Sequence, residues 1–144
     1  MQEHVKAMKA VALWRLPNII VIHLQRFEYT NSLNRSKIGT EVDFAIDGFD
    51  MRKHSAYNCS MSSDSHSEQL VDDEAPMVYD LFGVTNHYGR MGCGHYTAYA
   101  RRWNEAGKED TWAEFDDENV NEIPENDIVN PSAYVLFYRR WAFC

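Results

Sequence analysis

Along most of this chain apolar residues recur at alternate positions in short runs, and polar clusters separate the runs. That period of two predicts strands rather than amphipathic helices. Residues 13–17 lead into 18–29, a β-branched run that then alternates, as a central strand does when its burial changes from two faces to one. Pro17 suits the start of such a strand. A polar turn over 31–35 precedes a second predicted strand over 37–44, and Asp47-Gly48 marks the next turn. Residues 78–88 form a strong strand pattern that runs into a glycine-rich turn and then into the strand containing Tyr96 and Tyr99. A polar segment, 104–110, reads as a hairpin connection to a strand over 111–117. Residues 119–130 are polar, with a short helical signal at 124–128, and 133–140 is a strand rich in aromatic residues. The sum is about six strands in a twisted antiparallel sheet, with almost no helix.

Two stretches break the pattern. Residues 1–12 are weakly amphipathic without a capping signal and read as the middle of something longer. Residues 52–77 are dominated by Ser, Asp, Glu and His with isolated apolar positions, too few to offset the entropy of ordering, so a mobile insertion is expected there. His54, Cys59 and His66 lie within it, but no pair among them has the close spacing of metal ligands.

Length and charge narrow the picture. One domain with a real core is expected from 144 residues. A formal net charge of −8 argues against nonspecific nucleic-acid binding and against an anionic membrane surface. The longest apolar run, 19–24, is far too short to span a bilayer and contains His23. Cys59, Cys93 and Cys144 have no paired spacing, so neither a disulfide framework nor a zinc site is indicated and a reducing compartment is favoured.

The candidate chemistry sits at the glycine-rich turn. Gly89, Gly92 and Gly94 permit positive φ and close backbone approach, and the strand that follows holds His95 at the junction. An imidazole at the lip of a sheet has the intrinsic pKa for proton transfer near neutrality. The predicted hairpin returns Asp116 and Asp117 beside it, and a carboxylate accepting the second ring N–H would fix the tautomer. Spacing alone leaves a second reading open, in which His95 is a bonded strand-end histidine and Asp116-Asp117-Glu118 an acidic turn.

Five blocks taken together resemble a known family. Leu-Pro-Asn-Ile-Ile-Val-Ile-His-Leu-Gln-Arg-Phe (16–27), Tyr-Asp-Leu-Phe-Gly-Val-Thr-Asn-His-Tyr-Gly (79–89), Gly-His-Tyr-Thr-Ala-Tyr (94–99), Trp-Ala-Glu-Phe-Asp-Asp (112–117) and Ala-Tyr-Val-Leu-Phe-Tyr-Arg (133–139) are similar, in order, to the C-terminal half of a ubiquitin-specific protease catalytic domain. The resemblance implies an α+β, mostly antiparallel fold, the palm part of a papain-like cysteine protease. It implies His95 as general base, Asp116 as orienting acid and Asp117 as an assisting acid. Phe27, His87, Gly94, Tyr96 and Tyr138 would line the narrow channel for the ubiquitin tail, with 87–94 a mobile loop over it. The family's nucleophilic cysteine belongs to an upstream block, so residues 1–144 would be the C-terminal part of one catalytic domain and inactive alone. No metal or cofactor is expected here, and the structural zinc that family members hold would belong to upstream fingers. Ubiquitin and ubiquitinated proteins are the implied partners, in the cytoplasm, the nucleus or both. A non-catalytic ubiquitin-binding module is the alternative; an intact His95 and Asp116 weigh against it.

Overall fold

The computed structural model describes residues 9, 11–31, 34–56, 77–90, 92–103 and 110–141. Nine strands occur among them: β1 (Ile19–His23), β2 (Phe27–Asn31), β3 (Asn34–Lys37), β4 (Phe49–Asp50), β5 (Val78–Arg90), β6 (Cys93–Trp103), β7 (Asp110–Asp116), β8 (Asn119–Ile123) and β9 (Ala133–Arg140). Seven form one sheet in the order β1-β9-β5-β6-β7-β8, with β4 paired to β5; β2 and β3 form a separate ribbon. Every pairing between these strands is antiparallel.

The 13-residue β5 organises the sheet because it pairs along its length with β9 on one side and β6 on the other. A register shift between Leu81 and Gly83 lets Leu81, Val84, Leu136 and Tyr138 share one face. That face carries the core, in which Tyr79, Leu81, Val84, Tyr99, Trp112, Leu136 and Tyr138 are buried. Ile128, fully buried, reaches it from the 3-10 turn over Glu125–Asp127. Each such side chain withdrawn from water contributes about 1.5–3 kcal/mol.

Several expectations change. The run over 18–29 is not one central strand. β1 lies at the sheet edge, with Ile20 and Ile22 against the core and Ile19 and Val21 exposed. The chain then leaves the sheet where Arg26 is buried and bonded to three carbonyls from elsewhere in the chain: Nε donates to Ala133 O at 2.5 Å and Nη1 to Ile38 O at 3.1 Å and Thr40 O at 2.7 Å. The strand expected over 37–44 is instead β3, placed earlier, followed by irregular chain. That chain is still packed: Phe44 and Ile46 lie on the core, Ala45 O accepts from the Tyr138 hydroxyl at 2.7 Å and Ile46 O from Leu81 N at 2.7 Å. β8 was not predicted, since its Asn-Val-Asn-Glu-Ile sequence is mostly exposed and reads as polar.

The expected insertion over 52–77 has ordered margins. Arg52–His54 is a 3-10 turn, Leu13 pairs with Ser55, and Met51 N donates to Met77 O at 2.9 Å. Residues 57–76, including Cys59 and His66, lie outside the described residues, as do 104–109 of the expected hairpin connection and Cys144.

This layout predicts that Leu81→Ala destabilises the protein by about 2–5 kcal/mol, whereas Val21→Ala on the exposed face of β1 costs no more than about 0.5 kcal/mol. Thermal unfolding of the two variants beside the parent checks it; equal shifts would contradict the assigned core.

Candidate active site

Strand register places the first pair of functional side chains. β6 and β7 pair from Trp103↔Asp110 to Ala98↔Phe115, and continuing that ladder by one residue sets Asp116 against Thr97. Side chains alternate along β6, so Thr97 and His95 share a face and Asp116 becomes the diagonal neighbour of His95, within reach of a long side chain. His95 Nε2 accordingly donates to Asp116 Oδ1. This hydrogen bond raises the imidazole pKa above its ordinary value, and the negative charges of Asp116 and Asp117 add to it. With the proton on Nε2, Nδ1 is the free acceptor.

Asp117 follows in a two-residue connection closed by the Asp116↔Asn119 pair. Its φ of 50° is a left-handed conformation uncommon outside glycine and best tolerated by Asp or Asn. His95, Asp116 and Asp117 bring a ring nitrogen and two carboxylates within 4.8 Å of one another, a set a divalent cation could bridge. The His95–Asp116 hydrogen bond already occupies one of those ligand atoms.

Of the segment 87–94, expected as a mobile loop, the described residues pair as the end of a β-hairpin, Tyr88↔His95, Gly89↔Gly94 and Arg90↔Cys93, and Met91 lies outside the described residues. Two glycines make it possible. Gly89 has φ +96°, and a Cβ there would lie 2.7 Å from Cys93 O. A Cβ on Gly94 would lie 2.2 Å from His87 Nε2 and 2.7 Å from Tyr88 O, so the His87 ring lies directly over the Gly94 backbone.

A second group forms around that ring. His87 pairs with Tyr96, and its ring centroid lies 4.8 Å from Tyr96, 5.4 Å from Phe27 and 5.8 Å from Tyr134. His87 is 3% exposed whereas Tyr96 is 54% exposed, so the group is a wall with one open edge. Burial lowers the His87 pKa, and the neighbouring Lys37 ammonium lowers it further. Its Nδ1 is buried without a hydrogen-bond partner among the described residues. Alternation sends His95 to the face shared with Asn86 and Thr97, and Tyr96 to the face shared with His87. The imidazole–carboxylate pair and the aromatic wall therefore adjoin across one strand rather than lying side by side.

Seven of the eight candidate residues thus cluster as two groups, His95 with Asp116 and Asp117, and His87 with Tyr96, Phe27 and Gly94. Tyr138 does not join either. It is 1% exposed, packed with its ring centroid 4.8 Å from that of Phe49 and bonded to Ala45 O, so it belongs to the core rather than to the wall. Tyr134, four residues earlier on β9, stands at the wall instead. Both tyrosines are on alternate positions of one strand, and only the register with β5, Tyr138 opposite Leu81 and Ala133 opposite Asn86, tells which one is near His87. Cys93, at the hairpin end, is exposed.

Comparison with known proteins gives this geometry a context. The family model described as ubiquitin carboxyl-terminal hydrolase matches residues 3–138. Ubiquitin carboxyl-terminal hydrolase 4 of Pongo abelii is 45% identical over 139 residues, covering 96% of this chain and 12% of that protein. Ubiquitin carboxyl-terminal hydrolase 5 of Arabidopsis thaliana is 41% identical over 138 residues, 96% of this chain and 13% of that protein. The fold resembles the SAGA Ubp8/Sgf11/Sus1/Sgf73 DUB module bound to ubiquitin aldehyde, with a TM-score of 0.70 at 21% identity over 92% of this chain and 26% of the matched chain. The expected antiparallel, partly papain-like architecture is therefore observed. The chain belongs to the ubiquitin carboxyl-terminal hydrolase family, and spans only a small fraction, 12% to 14%, of the curated relatives it matches.

Two outcomes follow from the geometry. Asp116→Asn should bring the His95 imidazole pKa down toward its ordinary value, because the charge that favours the imidazolium is gone; the ring-carbon resonance of His95 across pH reads this, and an unchanged titration would contradict the pairing. Gly94→Ala should displace His87 or open the hairpin, since a backbone carbonyl and the ring both lie within contact of the added methyl. Loss of ring-current shifts between His87 and Tyr96 would report it, and unaltered spectra would exclude the close approach.

Proposed function

We propose that the protein is a thiol-dependent deubiquitinase in which this chain supplies the general base and its orienting acid, as the C-terminal part of the catalytic domain. The observation that carries the reading is the His95–Asp116 hydrogen bond through Nε2, which leaves Nδ1 free at the half-exposed rim of the sheet. Nδ1 then accepts the proton of a cysteine thiol, and the thiolate attacks the carbonyl carbon of the terminal glycine of the ubiquitin tail. As the tetrahedral intermediate collapses, the imidazolium gives its proton to the leaving lysine amine. Water, deprotonated by the same ring, hydrolyses the thioester and releases the free tail carboxylate. Asp116 holds the ring and stabilises its charged form throughout, and Asp117 adds negative charge beside it.

The thiol comes from another part of the protein. Cys93 stands two residues from His95 on the same strand, so the two side chains project in parallel about 7 Å apart, beyond the roughly 2.6–3.2 Å that proton transfer uses. The tail would lie along the wall of Phe27, His87, Tyr96 and Tyr134, with Gly94 providing the low floor. A channel walled by aromatic rings would favour a tail without bulky side chains, such as one ending in Gly-Gly.

Release of a fluorophore from the ubiquitin C-terminus by the complete protein tests this. His95→Ala, checked to be folded, should lower turnover by at least about 100-fold, and full activity in that variant would refute the assignment.

A further inference from the structure

The ribbon of β2 and β3 meets the main sheet at the aromatic wall, and it does so through two cations. Arg26 is held by three carbonyls as described, one of them Ala133, the residue before Tyr134. Lys37, the register partner of Phe27, donates from Nζ to His87 O at 2.5 Å. Among the described residues neither cation forms an ion pair with a carboxylate. Desolvating a cation to hold one backbone carbonyl is costly, and a neutral residue would fill the space more cheaply.

We propose that Lys37 is a positioning residue for the tail site, its ammonium fixing the His87 backbone and so the place of the His87 ring within the wall. The inference rests on the deubiquitinase reading above. Geometry leaves the ring little freedom: it is wedged over Gly94, between Phe27, Tyr96 and Tyr134, and the Lys37 bond ties the His87 backbone to the ribbon beside the Phe27 contact. A protonated His87 would bring a second positive charge beside Lys37 in a buried setting without a counter-charge. The groups facing it are Lys37 from β3, Tyr96 from β6 and Tyr134 from β9; His23 on β1 packs edge-on to Tyr134, and Arg26 acts on Lys37. Both burial and the Lys37 charge lower the His87 pKa, so the ring takes up a proton less readily than an ordinary histidine. Neutral, the ring packs within the wall without an unpaired charge; protonated, it would carry two donors and a desolvated charge there.

Three substitutions in the complete protein separate the effects. Lys37→Met removes bond and charge, Lys37→Gln keeps an N–H donor without charge, and Lys37→Arg keeps both. With the ubiquitin–fluorophore substrate at pH 8, Lys37→Met should raise KM by about five- to tenfold with kcat nearly unchanged, Lys37→Gln by less, and Lys37→Arg hardly at all. Below neutrality KM should begin to rise at a higher pH in both Lys37→Met and Lys37→Gln than in the parent, because His87 now protonates sooner. Lys37→Arg should restore the parent profile. His95 contributes equally to all four proteins, so the difference reads His87. If Lys37→Met fails to fold, Lys37→Gln and Lys37→Arg carry the comparison. An active parent with Lys37→Gln folded and identical to it in KM at every pH would overturn this inference alone. A parent that binds but does not cleave the substrate would overturn the deubiquitinase reading, and this inference with it.

Discussion

The register of β6 is the constraint on which the rest of the structure depends. That strand is held on both sides, by β5 from Gly83↔Ala100 to Arg90↔Cys93 and by β7 from Ala98↔Phe115 to Trp103↔Asp110. Because side chains alternate with a period of two, a slip of one residue on either side would turn His95 into the opposite face and separate it from Asp116. The hydrophobic positions resist such a slip: Tyr99 and Trp112 are buried on the core face, and moving them to the other face would expose both. The proton-transfer pair is thus held in place by core packing several residues away.

The same register distributes two tasks over two faces of one hairpin. The face of Asn86, Thr97 and His95 carries the imidazole–carboxylate pair proposed for acid–base chemistry, and the face of His87 and Tyr96 carries the aromatic wall. Asn86, fully buried, bonds to Thr97 Oγ1 and accepts from Asn130 Nδ2 at 3.4 Å each, which fills the interior behind His95 with weak polar contacts instead of leaving unpaired groups. Gly94 is where the two tasks meet. Only a residue without a side chain lets the His87 ring lie against the backbone that presents His95 one position later.

Sequence patterning made much of this legible, and the exceptions have physical causes. The strand over 133–140 coincides with β9, and 78–88 with most of β5, because β-branched and aromatic residues alternate there without interruption. His95 and Asp116 could be paired in advance because two strands of similar length on either side of a short connection must return the second end to the first. β8 was missed because a strand at the sheet edge, exposed along most of its length, carries no hydrophobic pattern. The 18–29 run looked continuous, yet it breaks at Arg26, where hydrogen bonds to Ala133, Ile38 and Thr40, all distant in sequence or beyond the next turn, override local propensity. Tyr138 was confused with Tyr134 for a related reason. Periodicity gives the face of a strand but not its offset along the neighbouring strand, and here a register shift between Thr85 and Asn86 also intervenes.

The central claim is that this chain provides the base of a cysteine protease and that the attacking sulfur lies outside it. The most direct measurement is to treat the complete protein with ubiquitin bearing a thiol-reactive group at its C-terminus and to map the modified residue by peptide mass spectrometry. The account predicts one ubiquitin adduct on a cysteine other than Cys59, Cys93 and Cys144, formed quickly in the parent and slowly in His95→Ala. An adduct on Cys93 that forms at the same rate without His95 would contradict it.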